Sequence, residues 1–530
     1  MSRTFIALVS ALVAIFGLLS CASGPTKEQQ LVAKAVEATG GAQAIADLRT
    51  VTLKGTAKQW EPEQSDVPGG EMRFANEMTY EAIVDVQGRA SRFDFVKNFA
   101  YPAPRTFTYS EIVTPTAGYV IGVDSNGRNA ESQKANPPAH SMSGYRLALS
   151  HREGRRGAIS GLLLAMFFNP EQLQPAADIV VQGRAYPAVS YQGFIVAFDP
   201  QTGLPARVRT LDYDNIWGDV TYDLVFSDWK KVGNVQIAMN RKHELNGRVI
   251  SDAQWTDFRI NQALDAKRLA IPNEVRASAA KPATGNVPYQ WVLRRQYIGV
   301  YMDSDNVSYD TKGSQGLRLQ EVSPGVHHVV GGTHNSLVIE MSDFLVIFDA
   351  PVTDAQSAWV MSTVKSRFPG KPVRWVVLTH HHMDHAGGVR GLLVDGGTLV
   401  VGTPGRAHFQ KVLAAPATRN PDLTPRSFAA IQIMEVTDSH VISDSRGRQV
   451  MMYVMDNPHA KGMMMGWVPD AKLGFVTDIW SPGPPLPAKP NPGLVAVVNT
   501  VKKAGLQPER FAGGHGSTSD YASLARLAGQ

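Results

Sequence analysis

Four residues within six positions carry metal-type donors: His380, His382, Asp384 and His385, in the spacing His-x-His-x-Asp-His. Imidazole nitrogen and carboxylate oxygen together suit zinc, and the same donors admit iron or manganese. The motif follows the apolar run Trp375-Val376-Val377-Leu378 and ends at Gly387-Gly388. That run reads as a buried strand. Side chains alternate in direction along a straight strand, so four converging ligands require a chain that curls as it leaves the strand. The competing reading is a histidine-rich surface loop that binds metal adventitiously. His381 is out of frame with the four and is expected beside them or turned away.

One loop does not complete a metal centre. Downstream, His459 follows the strand-like run 450–455, Asp478 ends the run 473–477, and His515 sits in Ala512-Gly513-Gly514-His515-Gly516. Each lies beside glycine or a turn residue, which lets the backbone approach closely. Taken singly, a histidine at a strand end is more often structural than a ligand. Lys461 reads as a solvated lysine, and Trp480 with Pro482–Pro490 as a cleft wall or a rigid loop. Met451, Met452, Met455, Met463, Met464 and Met465 read as core filling on hairpin strands, and His334 is given no role.

The order and contexts of these seven residues resemble the metallo-β-lactamase superfamily over about Val322 to Gly529. The resemblance implies an αββα sandwich with the site at one edge of two sheets. It implies that His380, His382 and His459 hold a first metal, that Asp384, His385 and His515 hold a second, and that Asp478 bridges both. Two zinc ions per chain are expected on this basis. Ions about 3.5–4 Å apart share a water and lower its pKa towards neutrality. The expected activity is hydrolysis of an ester, lactone or amide by a hydroxide bridged by two zinc ions. Asp384 is the expected catalytic residue, orienting the water or carrying its proton. A mono-iron dioxygenase is the rival enzyme, and phosphodiester or sulfate ester cleavage is compatible with the same ligands.

The rest of the chain must position and deliver this site. Its 530 residues suffice for two or three domains, and 43% are hydrophobic,. The net charge of +5 is spread out, with no basic cluster of the kind nucleic acid requires,. The expected partners are a small-molecule substrate and a membrane, not nucleic acid. Arg3 and the apolar stretch Phe5–Leu19 read as a targeting segment over 1–20, too short to span a bilayer,. Its end, Leu18-Leu19-Ser20-Cys21, resembles a bacterial lipoprotein signal, which implies lipidation of Cys21, the single cysteine. An ordinary secretory signal cut after a small residue such as Ala22 is the alternative. The lipoprotein reading places the protein in the cell envelope, anchored on the periplasmic side of the outer membrane.

A tether over 21–30 leads into a β-rich domain over 31–276. Residues 31–48 read as a helix broken at Gly40-Gly41, and alternating stretches such as 51–56, 78–86 and 91–95 read as strands with one face on a core,. The turn Phe198-Asp199-Pro200-Gln201-Thr202-Gly203-Leu204-Pro205 and the stretch Phe226–Val235 resemble the periplasmic lipoprotein-carrier and sorting family over roughly 27–275. That resemblance implies a curved antiparallel β half-barrel with helices, able to hold an acyl chain. It also supplies the alternative function, a lipid or lipoprotein carrier with a non-catalytic metal domain. Residues 277–315 are expected to link, and 316–530 to form the hydrolase-like domain. The fold class is thus multidomain α+β.

Overall fold

The computed structural model describes residues 24–125, 139–300, 303, 316–420, 423, 426–483 and 487–528. The expected signal segment and Cys21 lie outside them. Among the described residues no helix is long and apolar enough to cross a membrane.

The N-terminal half is built on an antiparallel sheet of 13 strands among the described residues. It is largely a meander, and its first long strand, Thr50–Glu61, pairs with its last, Arg248–Ile260, with Leu53 opposite Phe258. In the first strand Leu53, Gly55 and Ala57 are buried while Lys54, Thr56 and Lys58 are exposed. This two-residue period sends one side to a core and one to water. Helices Lys27–Thr39 and Ile159–Phe168 cover part of the sheet, packing Val32, Val36, Leu162, Leu163 and Met166 onto Val196, Phe198 and Leu224. The first helix ends where Gly40 adopts φ +127°, and a Cβ there would lie 2.1 Å from the Asn234 carbonyl oxygen.

The stretch expected as a linker holds the helix Tyr289–Ile298, eight of whose ten residues are buried. Its polar members are paired inside the protein. Gln290 Nε2 donates to Asp212 Oδ2 at 2.7 Å, and Arg294 to Asp214 Oδ2 at 3.2 Å. This helix belongs to the packed N-terminal half, joining Tyr222 and Leu245 through Val292, Leu293 and Tyr297.

The C-terminal half is two sheets face to face. The first runs in chain order from Arg318–Ser323 to Gln432–Val436, antiparallel at its start and parallel from Leu345–Phe348 onward. The second holds the strands from Ser439–Ser443 to Thr518–Asp520. Val346, Phe348, Val377 and Val400 from one sheet meet Met452, Met464, Phe475 and Ala512 from the other. Helices Asp354–Arg367 and Arg406–Ala414 cover the first sheet, and Pro492–Lys503 and Tyr521–Leu527 the second. The layers are therefore αββα. Met452, Met455, Met463, Met464 and Met465 are buried in this core.

The two halves interlock. Ile216, in the turn between two long N-terminal strands, is buried in the core of the first C-terminal sheet. The fully buried Arg390 donates to the Asn215 and Ile216 carbonyl oxygens at 2.9 and 3.0 Å. Tyr213 donates its hydroxyl to Asp354 Oδ2 at 2.6 Å.

Candidate metal centre

The strand Val373–Val377 lies inside the first sheet, parallel to both neighbours. Beyond it the chain turns and enters the one-turn helix Met383–Ala386. The His382 carbonyl accepts from the backbone N–H groups of His385 and Ala386 at 3.0 and 2.9 Å. The turn needs its glycines for close approach. A Cβ on Gly387 would lie 2.4 Å from the Val352 carbonyl oxygen, and one on Gly388 2.5 Å from that of Thr353.

Asp478 follows the strand Leu473–Val476 with φ +54°, a left-handed conformation rare outside glycine,. His515 follows the parallel neighbour Arg510–Gly513, and His459 lies beyond Gln449–Val454. All these strands end at one edge of the sandwich.

Two groups of donor atoms gather there, each within 4.8 Å: His380, His382, His459 and Asp478, and next to them His334, Asp384, His385 and His515. The seven residues singled out in the sequence are thus brought together, and His334 joins them. Asp478 lies between the groups. Its Oδ2 is 3.0 Å from His380 Nε2 and 2.8 Å from His459 Nε2, and its Oδ1 is 3.2 Å from His385 Nε2 and 2.5 Å from His515 Nε2.

The far sides of the imidazoles are held. His385 Nδ1 is 2.9 Å from Asp349 Oδ2, His515 Nδ1 is 3.3 Å from the Thr333 carbonyl, and His380 Nδ1 is 3.2 Å from Thr379 Oγ1. Asp349 also accepts from the Thr379 N–H and hydroxyl at 2.7 and 2.9 Å. Such outer partners fix ring orientation and leave the inner nitrogen free to ligate. His381 points the other way, donating from Nε2 to the Ser65 carbonyl at 2.9 Å.

Residue chemistry fits a cation at this place. His380 Nε2 is buried, and Asp478 Oδ2 lies 3.0 Å from it. Burial drives His380 down to about 4 and holds His382 well below the ordinary histidine range, so both are neutral ligands at neutral pH. Burial also drives His334 down to about 3, with the neighbouring His515 adding to the effect. Burial pushes the Asp478 carboxyl up, but His385, His459 and His515 outweigh it and keep the group ionised. His385 is drawn well above its usual value against the effect of burial, because Asp478 and Asp349 both face it. Two carboxylates aimed at one buried imidazole mark a place that calls for positive charge,.

Asp349, Gln64 and Ser65 were not singled out in the sequence, and His334, given no role there, lies in the second donor group. Asp349 had a signal, an aspartate closing the buried run Phe344–Phe348. His334 lies in a turn with no spacing to the other histidines, and Gln64 and Ser65 come from the other half of the chain.

Residues 329–526 match the family model described as Metallo-beta-lactamase superfamily. Over 76 residues the chain is 34% identical to a linear primary-alkylsulfatase of a Pseudomonas species, a stretch covering 14% of this chain and 11% of that protein. The chain thus spans about a tenth of that relative's length. Among solved structures, a metallo-beta-lactamase from Pontibacter korlensis is similar at 18% identity and TM-score 0.31, covering 40% of this chain and 97% of that one. A stereoselective inverting sec-alkylsulfatase from Pseudomonas is similar at 16% identity and TM-score 0.31, covering 46% and 43%. The flavodiiron core of a Synechocystis protein gives 15% identity and TM-score 0.33, covering 40% and 60%. The C-terminal region, from 329 to 526, is a metallo-β-lactamase superfamily domain, and the two donor groups that could hold metal ions lie within it.

Proposed function

We propose that the protein is a two-metal hydrolase that cleaves an ester, lactone or amide in the cell envelope. One observation carries this reading: Asp478 turns one carboxylate oxygen to each of two adjacent donor groups. On this reading His380, His382 and His459 hold one ion, Asp384, His385 and His515 the other, and Asp478 both. Zinc is proposed because the donors of both groups among the described residues are imidazole nitrogens and carboxylates, which suit it, with iron as the rival,.

Two divalent ions so held supply a water of lowered pKa and a Lewis acid for the scissile carbonyl. The chain's own residues do the rest. Asp384 is fixed on both sides, its Oδ1 accepting from Gln64 at 2.7 Å and its Oδ2 lying 3.2 Å from His334 Nε2. A carboxylate so oriented can hold a proton donor at one angle and take its proton. Burial pushes Asp384 up, but its hydrogen bond with His334 helps bring it well below the usual carboxylate range, so it is ionised at neutral pH. No serine or cysteine nucleophile is required.

A sulfate ester with an alkyl tail is the second reading, supported by the local similarity to a linear primary-alkylsulfatase. The N-terminal sheet offers a surface for such a tail, where Phe93 stacks on Phe95 and Trp255 on Phe258, all partly buried. A carrier function of that face is the alternative. Lipid anchoring through Cys21 is also proposed, supported by the apolar stretch and cysteine read in the sequence. A panel of p-nitrophenyl esters, lactones, amides and alkyl sulfates tests the activity. Turnover abolished by Asp478→Ala supports the reading, and turnover unchanged by that substitution contradicts it.

A further inference from the structure

The loop between strands Thr50–Glu61 and Arg73–Asp85 leaves the N-terminal sheet and lies against the histidine motif. Its root is fixed inside the protein. Glu61 and Glu63 are buried 3.9 and 3.6 Å from the guanidinium of Arg294, whose own helix is buried. Its tip reaches the donor groups at three points. The Ser65 carbonyl oxygen is 2.9 Å from His381 Nε2 and 2.9 Å from His382 Nε2. Gln64 Nε2 donates to Asp384 Oδ1 at 2.7 Å. The Asp66 carbonyl accepts from the Lys461 N–H at 2.8 Å, beside His459.

These contacts decide chemistry as well as position. A carbonyl oxygen has two lone pairs and no proton, so both histidines must donate to Ser65 from Nε2. A neutral His382 that donates from Nε2 keeps its lone pair on Nδ1. That atom is 3.0 Å from His459 Nε2, inside the first donor group. The orientation of the Gln64 amide is likewise fixed. The Tyr101 hydroxyl donates to Gln64 Oε1, which leaves the NH2 for Asp384.

We propose that the N-terminal domain is a structural part of the metal centre: the Ser65 carbonyl sets the tautomer of His382, and Gln64 is a positioning residue that aims Asp384 at the second ion. The inference rests on the two-metal reading and goes beyond it. It makes loading of the second site depend on a side chain 320 positions away from its ligand. It also separates the N-terminal half from a carrier that only accompanies the enzyme.

The test uses the full chain, stripped of metal and titrated with cobalt(II) and with zinc, with affinities taken from absorption and calorimetry. In Gln64→Leu the first ion is expected to bind as in wild type and the second about 10- to 100-fold more weakly, the usual effect of losing a partner behind a ligand. Tyr101→Phe is expected to shift the second ion in the same direction by less. The melting temperature of the metal-free variants, equal to that of wild type, separates this from a loss of fold. Two ions bound by Gln64→Leu at wild-type affinities, or both weakened equally, would overturn the inference alone. Fewer than two ions bound by wild type would overturn the two-metal reading with it.

Discussion

Asp349 Oδ2 lies 2.9 Å from His385 Nδ1, and neither side chain is exposed. The aspartate closes the strand Leu345–Phe348 with φ +59°, so the strand end itself aims the carboxylate at the ring. Asp349→Ala removes the partner that orients His385 and strands the buried N–H of Thr379. Metal affinity of the second site should fall 10- to 100-fold. Stability should fall by roughly 1–3 kcal/mol, the cost of an unsatisfied buried donor. Calorimetric metal titration and denaturant melts measure the two effects separately; an unchanged titration would contradict this role.

Asp478 faces both donor groups, whereas His382 faces one. Asp478→Ala should therefore reduce binding of both ions, and His382→Ala binding of one. Metal counted per chain by mass spectrometry after dialysis distinguishes them. Equal losses in the two variants would contradict the assignment.

Gly514 is a close-approach position with no left-handed backbone demand. A Cβ there would lie 2.6 Å from Thr477 Oγ1 and 3.3 Å from His385 Cε1. Gly514→Ala should destabilise the fold by about 1–3 kcal/mol, the usual cost of overpacking. It should also lower activity more than a distant change of equal stability cost. Melting and turnover on the same samples check this.

Glu61 gives a pH dependence. Burial raises its pKa from 4.5 to about 7, partly offset by Arg294, and burial raises Glu63 as well. Between pH 4.5 and 7 Glu61 then holds more proton in the folded protein than in the unfolded one, so its contribution to stability falls as pH rises and levels off above about 7,. Glu61→Gln should flatten part of that decline, raising the melting temperature relative to wild type at pH 8 more than at pH 5. Parallel curves for the two proteins would contradict it.

Where the chemistry is contiguous or the pattern periodic, the sequence was readable. His380, His382, Asp384 and His385 announce themselves by spacing, whereas His459, Asp478 and His515 stood out only because their order and contexts resemble the metallo-β-lactamase superfamily. The strand Thr50–Glu61 shows its two-residue period. The helix Tyr289–Ile298 was hidden because it is buried nearly all round, with Arg294 paired to Asp214 and Arg295 laid over the Trp291 ring, so no polar face marks it. Gln64 and Ser65 were hidden for another reason. Their partners lie more than 300 positions away, and no local pattern encodes a contact made only when two halves dock.

The most direct test of the account is the metal content of the full chain, purified without chelators and counted by mass spectrometry. About two zinc ions per chain are expected, lost together with hydrolysis on chelation and restored by zinc. A chain that holds no metal after purification and takes up none on titration would contradict the account.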